Sequence, residues 1–236
     1  MNTALILAGG IGQRVGKDIP KQFLEVNGTP IIVYTLSVFQ NHNDIDQIAV
    51  VCVKGWEDEI RKYIDVYKLN KIVRIIPGGS TSMESIMNGV FGISDIVSPE
   101  DNIIIHDSVR PLIDKHTVSD CISVCNEHGN GCASIPMQET IVKTEDRISG
   151  NINIDRSNIM RVQTPQAYRY DLLKKLYEEA KRQGITDSVY TNTLMLELGY
   201  TIFFSKGSPL NLKITTADDI DLFDVILKYL ASKTEN

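Results

Sequence analysis

The chain has 236 residues, of which 42% are hydrophobic, 23% charged and 7% aromatic. This composition is that of a globular protein and excludes disordered, collagenous and membrane-spanning classes. The balance of 24 Lys and Arg against 30 Asp and Glu gives a net charge of −6. An acidic chain argues against a general nucleic-acid-binding surface, but it is compatible with a local cationic pocket for a small anion.

Short apolar runs rich in β-branched residues alternate with longer segments that have helical spacing. Strands are predicted at residues 3–8, 46–53, 72–77, 101–106, 131–136 and 200–205. Helices are predicted at residues 30–41, 56–68, 82–94, 114–128, 168–183, 187–198 and 216–231. This order predicts an α/β fold with a mostly parallel sheet, helices on both faces, and ligands beyond the carboxyl ends of the strands.

Residues 137–163 interrupt the alternation. The segment is polar, and short alternating stretches flank the turn-forming run Ser149–Gly150–Asn151. This pattern predicts a hairpin arm that leaves the main body, with a flexible surface loop as the alternative. Because no linker or repeat divides the chain, we expect one domain over residues 1–236 with this arm as an excursion.

The four cysteines, Cys52, Cys121, Cys125 and Cys132, form no CxxC pair and lack zinc-ribbon spacing. We expect reduced thiols in the core of a cytoplasmic protein.

A glycine-rich segment with cations, LAGGIGQRVGKDIPKQF, follows the first predicted strand. Its glycines and cations are Gly9, Gly10, Gly12, Gly16, Arg14, Lys17 and Lys21. Such a loop brings backbone N–H groups close to an oxyanion while cations neutralise it.

The segment does not match two common phosphate-binding motifs. A Walker A loop needs four residues before its Gly-Lys-Ser/Thr, whereas Gly12 and Gly16 are separated by three, and Asp18 follows the lysine. A dinucleotide fingerprint that starts at Gly10 needs a glycine where Val15 stands. The segment therefore indicates neither a P-loop NTPase nor a dehydrogenase.

The run LAGGIGQRVG…PKQ resembles the signature of sugar-phosphate nucleotidyltransferases, specifically the cytidylyltransferases that activate methylerythritol 4-phosphate or ribitol 5-phosphate. The resemblance implies a three-layer, Rossmann-like nucleotidyltransferase fold and CTP as substrate. It also implies that Ala8, Gly9, Gly10 and Gly12 lie against the triphosphate. Arg14 and Lys21 then have catalytic roles, because they counter the charge that grows on the α-phosphate and pyrophosphate.

The later segment GGSTSMESI resembles the family's cytosine-binding segment. By this resemblance, Gly79, Ser80 and Ser85 hold the base through backbone amides and a hydroxyl. Ser82 stands where the family usually has arginine.

The motif HDSVRP follows a predicted strand, so its carboxylate belongs at the ligand edge of the sheet. The resemblance implies that Asp107 contacts the nucleotide and Mg²⁺, and that Arg110 lies near the acceptor. A turn or helix cap is the alternative for Asp107. His106 is expected to be a packed core histidine rather than a general base.

The resemblance places further acceptor contacts along the rest of the chain. It implies that the arm crosses to a second subunit, where Thr140 and Arg156 complete the acceptor-phosphate site, so the active form is a homodimer. Thr164, in QTPQ, and Thr186, predicted with Asp187 to cap a helix, are further acceptor contacts. The resemblance also implies that Lys213 is a third catalytic cation, with a solvent-facing edge-strand lysine as the alternative.

The reaction implied is transfer of CMP from CTP to a polyol phosphate with release of pyrophosphate. The spacing from Gly16 to Pro20 and the run Gly207–Ser208 favour 2-C-methyl-D-erythritol 4-phosphate, an isoprenoid precursor, as acceptor. HDSVRP and PKQFL favour the alternative, D-ribitol 5-phosphate of teichoic-acid and capsule synthesis. A second alternative, motivated by Ser82, is a catalytically silent CTP-binding paralogue. A hexose-1-phosphate nucleotidyltransferase is disfavoured by HDSVRP and TPQ.

Overall fold

A computed structural model describes residues 1–10 and 19–234. Its strands are β1 (Asn2–Ala8), β2 (Glu25–Val26), β3 (Thr29–Pro30), β4 (Gln47–Cys52), β5 (Ile72–Pro77), β6 (Asn102–Asp107), β7 (Asn130–Pro136), β8 (Ile141–Lys143), β9 (Ile152–Ile154), β10 (Met160–Arg169) and β11 (Phe204–Lys206). Its helices are α1 (Ile31–Gln40), α2 (Glu57–Tyr67), α3 (Ser82–Gly92), α4 (Lys115–His128), α5 (Tyr170–Gln183), α6 (Thr191–Glu197) and α7 (Ala217–Thr234). None of these helices combines the length and hydrophobicity needed to cross a membrane.

Seven strands form the central sheet, in the order β11-β7-β10-β6-β1-β4-β5. The pairs β1–β4, β1–β6, β4–β5 and β7–β11 are parallel, and β10 runs antiparallel to both β6 and β7. Two separate hairpins, β2–β3 and β8–β9, lie outside this sheet. The expected mostly parallel sheet is confirmed.

Alternate side chains of the strands supply the two faces of the sheet, as the two-residue period of a strand requires. Ile6 and Val50 pack with residues of α1, α2 and α4 on one face. Leu5 and Val51 pack with residues of α3 and α5 on the other. Helices therefore cover both faces, which confirms the three-layer arrangement.

Strand β10 is absent from the sequence-based prediction, which assigned residues up to 163 to the arm. The strand carries Gln163, Thr164 and Gln166, all nearly buried, so it lacks the apolar signature of a core strand. Their side chains find partners inside the protein: Gln166 Nε2 donates to Asn192 Oδ1 at 3.0 Å, for example. A buried polar strand of this kind is stable because its polar groups are hydrogen-bonded.

The prediction that Thr186–Asp187 caps a helix over 187–198 is wrong. Helix α6 begins at Thr191, and both Thr186 and Asp187 are exposed. The helix starts later because the Thr193 hydroxyl accepts a hydrogen bond from the Tyr190 backbone N–H at 3.0 Å. The last strand is also shorter than the predicted 200–205 and lies later in the chain, since β11 spans only Phe204–Lys206, which pairs with β7.

The predicted arm contains the hairpin β8–β9, and most residues from 138 to 158 are exposed. Asp146 organises its turn by accepting hydrogen bonds from the backbone N–H groups of Ile148 and Ser149. The predicted hairpin is therefore confirmed for the centre of this segment, while Met160–Gln163 belong to the central sheet.

Candidate active site

A cavity of about 520 Å³ opens at the carboxyl ends of β1 and β6, where Leu7 and Asp107 are paired in register. The carboxyl edge is where a sheet of this type binds ligands. The lining residues that the sequence predicted are Ala8, Gly9, Gly10, Lys21, Gly79, Ser80, Ser85, Asp107 and Lys213. Gly12 and Arg14 lie outside the described residues.

The glycine turn after β1 is shaped by close contacts. A Cβ on Gly9 would lie 2.9 Å from Ser85 Oγ, and one on Gly78 would lie 3.1 Å from the Gly9 Cα, so side chains are excluded from both positions. Nearly buried Gln22 fixes the same turn, because its Nε2 donates to the carbonyls of Ala8 at 2.8 Å and Gly10 at 2.9 Å. The backbone can therefore approach a ligand closely at this turn.

The amino terminus of α3 forms a second wall. Thr81 is its N-cap and accepts from the Glu84 N–H at 3.0 Å. Ser85 Oγ accepts from the Gly79 N–H at 3.0 Å. Ser80 donates its N–H to the Glu84 carboxylate, and the hydrogen bonds from Ser80 lower the pKa of that carboxyl. The positive end of the helix dipole favours an anion here.

Asp107, at the end of β6, holds two cations with one oxygen. Its Oδ2 lies 2.9 Å from Arg110 Nε and 3.2 Å from Lys213 Nζ. Burial alone would raise the pKa of this carboxyl, but Lys213 and Arg110 outweigh it and hold the pKa below its usual value. Asp107 is therefore ionised at neutral pH.

Lys213 reaches the cavity from the segment before α7. Its Nζ contacts Asp107, and it donates to Tyr190 Oη at 2.6 Å. Burial works against the ammonium, but Asp107 and Tyr190 outweigh it and raise its pKa. Lys21 arrives at the same wall, where its Nζ donates to the Ile214 carbonyl at 2.8 Å. The fold therefore brings together two of the three predicted catalytic cations.

Arg110 and Thr164 have positions that differ from those expected. The Arg110 side chain is only 12% exposed, and besides Asp107 it contacts the Asn211 carbonyl at 2.8 Å. Thr164 is buried, and its Oγ1 accepts from the Asp107 N–H at 3.1 Å. Neither side chain lines the cavity. Both contact Asp107 instead, and their contact with the acceptor stays a prediction.

Thr140, Arg156 and Thr186 are exposed and do not line the cavity of their own chain. Arg156 donates to the Gln138 carbonyl within the arm. Thr140 and Arg156 lie apart from the cavity because the arm leaves the main body at the end of β7.

His106 is fully buried and packs against Phe39, with ring centroids 5.1 Å apart. Burial lowers its pKa to about 3, so the imidazole is neutral. The expectation of a core histidine is confirmed.

All four cysteines are buried and free. Burial raises the pKa of Cys52 and Cys125 to about 12 and that of Cys132 to about 11. These thiols are therefore protonated and chemically inert, as expected for core cysteines.

One carboxylate, Asp107, lines the cavity among the described residues, and these residues contain no group of three His, Cys, Asp or Glu side chains that could enclose a metal. Residues 1–10 and 19–234 therefore offer no closed cage of protein ligands. Mg²⁺ often binds through one carboxylate together with substrate phosphates, and Asp107 fits that single-ligand role.

Three features of the site escaped sequence analysis. Val189 and Tyr190 line the cavity although they lie 23 or more residues before Lys213 in the chain. Gln22 belongs to the PKQ run, and its hydrogen bonds to the glycine turn give that run a physical role. The contact between Tyr190 and Lys213 has no sequence signal, because it depends on how α6 begins.

Known proteins match this chain over nearly its whole length. The profile of the IspD family, described as 2-C-methyl-D-erythritol 4-phosphate cytidylyltransferase, matches residues 2–229. The ribitol-5-phosphate cytidylyltransferase of Lacticaseibacillus paracasei is 47% identical, with 97% of this chain and 98% of that protein covered. The 2-C-methyl-D-erythritol 4-phosphate cytidylyltransferase of Clostridium acetobutylicum is 35% identical, with 97% and 98% covered.

Structural comparison supports the same fold. The crystal structure of 4-diphosphocytidyl-2C-methyl-D-erythritol synthase from Anaerococcus prevotii superposes with a TM-score of 0.81 at 23% identity, covering 96% of this chain and 98% of that one. Together, the fold, the cationic cavity beyond β1 and β6, and the family match over residues 2–229 show that the chain belongs to the IspD family of cytidylyltransferases.

Proposed function

We propose that this cytidylyltransferase transfers CMP from CTP to D-ribitol 5-phosphate and releases pyrophosphate. The observation that carries the proposal is the cavity beyond β1 and β6. There Lys21, Lys213, the glycine turn and the amino terminus of α3 all face one volume. These groups suit two polyanionic substrates that must be held together.

The acceptor phosphate is the nucleophile. An oxygen of ribitol 5-phosphate bonds to the α-phosphorus of CTP, and the bond from that phosphorus to the bridging β-phosphate oxygen breaks, so pyrophosphate leaves with the electron pair. Because the second pKa of such a phosphate is about 6, the nucleophile is an anion at neutral pH and needs no general base. This fits a cavity that no histidine lines in the described part of the chain.

Catalysis then depends on alignment and charge neutralisation. Lys213, held at Asp107, and Lys21, held at the Ile214 carbonyl, supply positive charge on one wall. Arg14, carried over from the family resemblance, supplies a third cation. The segment from Gly79 to Ser85 holds the cytosine.

Mg²⁺ completes the proposal as the divalent cation, with Asp107 as its protein ligand. When bound, the ion would neutralise the triphosphate. Asp107 suits this role because it is ionised and lies at the ligand edge of the sheet.

Relatives support ribitol 5-phosphate over the acceptor that the sequence motifs favoured. The relative from L. paracasei, which is named for ribitol 5-phosphate, is more similar to this chain than the relative from C. acetobutylicum, which is named for methylerythritol phosphate. We therefore place 2-C-methyl-D-erythritol 4-phosphate second. The Gly207–Ser208 run, which suggested it, contributes no side chain to the cavity.

We also infer a homodimer with shared sites. Thr140 and Arg156 are exposed on the arm, away from their own cavity, and exposed apolar side chains, including Val142 and Ile152, accompany them on the hairpin. An arm with this composition suits contact with a second copy, whose acceptor site Thr140 and Arg156 would complete. We also propose a cytoplasmic location, which the four free cysteines support.

A coupled pyrophosphate assay with CTP tests the function directly. We expect release with ribitol 5-phosphate at a kcat/KM at least tenfold above that with methylerythritol 4-phosphate. The reverse ratio would overturn the acceptor assignment. CTP binding by calorimetry without turnover of either acceptor would instead favour the silent paralogue that Ser82 suggested.

A further inference from the structure

The ammonium of Lys213 is held from two sides at the wall of the cavity. Asp107 Oδ2 lies 3.2 Å from Nζ on one side, and Tyr190 Oη accepts a hydrogen bond at 2.6 Å on the other. The Tyr190 ring centroid is 5.1 Å from the same Nζ, within the range of a cation–π contact. A lysine side chain has four rotatable bonds and much rotamer entropy, so its position in a cavity depends on such partners.

Asp107 alone is a weak anchor for this lysine. The carboxylate oxygen that faces Lys213 is the one that contacts Arg110, and the Arg110 Nε is nearer, at 2.9 Å against 3.2 Å. Arg110 is also better buried, with 12% of its side chain exposed against 28% for Lys213. Lys213 is therefore the more weakly held of the two cations at Asp107, and its shortest contact is with Tyr190.

Tyr190 is itself fixed by the start of α6. Its N–H donates to Thr193 Oγ1 at 3.0 Å, and its carbonyl accepts from the same hydroxyl at 2.7 Å. Buried Ser188 donates to the Tyr190 carbonyl at 3.3 Å. The segment before the helix thus presents the phenol at a defined point on the cavity wall.

We propose that Tyr190 is a positioning residue, which holds the Lys213 ammonium against Asp107 at the wall of the cavity. The inference rests on the proposed function, since it takes Lys213 to act on the phosphates. Tyr190 need not touch either substrate for this role.

Tyr190→Phe tests the proposal, because it keeps the ring and removes only the hydroxyl. Tyr229→Phe is the matched control: Tyr229 also has a lysine Nζ 4.9 Å from its ring centroid, but it is exposed on α7. We expect Tyr190→Phe to lower kcat about five- to tenfold with a CTP KM within about twofold of wild type, since the transition state loses alignment. Tyr229→Phe should keep full activity.

A double-mutant cycle separates positioning from an independent role. In a Lys213→Ala background, Tyr190→Phe should change kcat by less than about twofold, because the group it positions is gone. Tyr190→Phe is also measured in a Lys213→Arg background, which keeps a cation at this position and gives measurable turnover. An unchanged kcat for Tyr190→Phe in the wild-type background, or the same loss in all three backgrounds, overturns the proposal.

Chemical acetylation of lysines, followed by peptide mass spectrometry, measures how fast Lys213 reacts and does not depend on enzymatic turnover. Lys213 should be labelled at least about threefold faster in Tyr190→Phe than in wild type, relative to exposed Lys228, because an amine that has lost its hydrogen bond to the Tyr190 hydroxyl is less confined at the wall and more accessible to the reagent. Equal labelling rates would overturn the proposal. If wild type turned over no acceptor, the proposed function would fail, while labelling would still decide the role of Tyr190.

Discussion

Gln22 provides a quantitative test of how the glycine turn is held. Its Nε2 bonds the carbonyls of Ala8 and Gly10 at 2.8 and 2.9 Å, and the side chain is nearly buried. Gln22→Leu keeps much of the volume and removes both donors. Loss of a partner for a buried acceptor costs about 1–3 kcal/mol. The lower end applies to both carbonyls, because Ala8 O keeps its bond from the Val53 N–H at 3.0 Å and Gly10 O borders the cavity.

We therefore expect Gln22→Leu to lower the free energy of unfolding by about 2 kcal/mol, or Tm by about 4–8 °C for a domain of this size. The CTP KM should rise about three- to tenfold, because a turn that has lost its donors no longer holds its backbone for the triphosphate. Thermal melts and pyrophosphate-release kinetics measure both quantities. Gln183→Leu, at an exposed position on α5, is the control and should change stability by less than about 0.5 kcal/mol. A Gln22→Leu enzyme with wild-type Tm and CTP KM would refute the proposed role of Gln22.

Three further predictions concern the cations, the buried histidine and the arm. Lys21→Ala and Lys213→Ala should each lower kcat by about 10²–10³ with the fold intact by circular dichroism, and near-normal pyrophosphate release would remove that lysine from catalysis. The pKa of His106 is about 3 in the folded chain against about 6.5 when unfolded, so the unfolded state gains a proton and stability falls as pH drops from about 6.5 to about 3. In urea titrations, the free energy of unfolding of wild type should fall by about 2 kcal/mol more between pH 7.5 and pH 5 than that of His106→Gln. The same pH dependence in both proteins would contradict a neutral buried imidazole. Mixing Arg14→Ala with Arg156→Ala protein should restore activity through subunit exchange, whereas no recovery after proven exchange would refute a shared site.

The pattern of apolar residues was sufficient to predict most of the strands and helices. Strands β1, β4 and β6 are continuous apolar runs whose carboxyl ends meet at one edge, so the positions of Ala8 and Asp107 followed from the sequence. Strand β10 was missed because its buried residues include Gln163 and Gln166, whose burial is possible only with partners from distant segments. A local pattern contains no information about such partners.

The residues of the candidate site also fall into those that a contiguous motif predicts and those whose position depends on contacts with distant segments. Residues in contiguous motifs, such as Gly79 and Lys213, were placed correctly at the cavity. The ion pair between Arg110 and Asp107 has no sequence signal, because three residues of spacing allow either this contact or a side chain turned toward the ligand. Tyr190 was missed because its role depends on where α6 begins.

The most direct test of the central claim is to identify the product. Incubation of the protein with CTP, Mg²⁺ and ribitol 5-phosphate should yield CDP-ribitol, seen in ³¹P NMR as the two coupled resonances of a pyrophosphate diester, together with one equivalent of pyrophosphate. Intact CTP, or a diester that forms only with methylerythritol 4-phosphate, would contradict the proposed reaction.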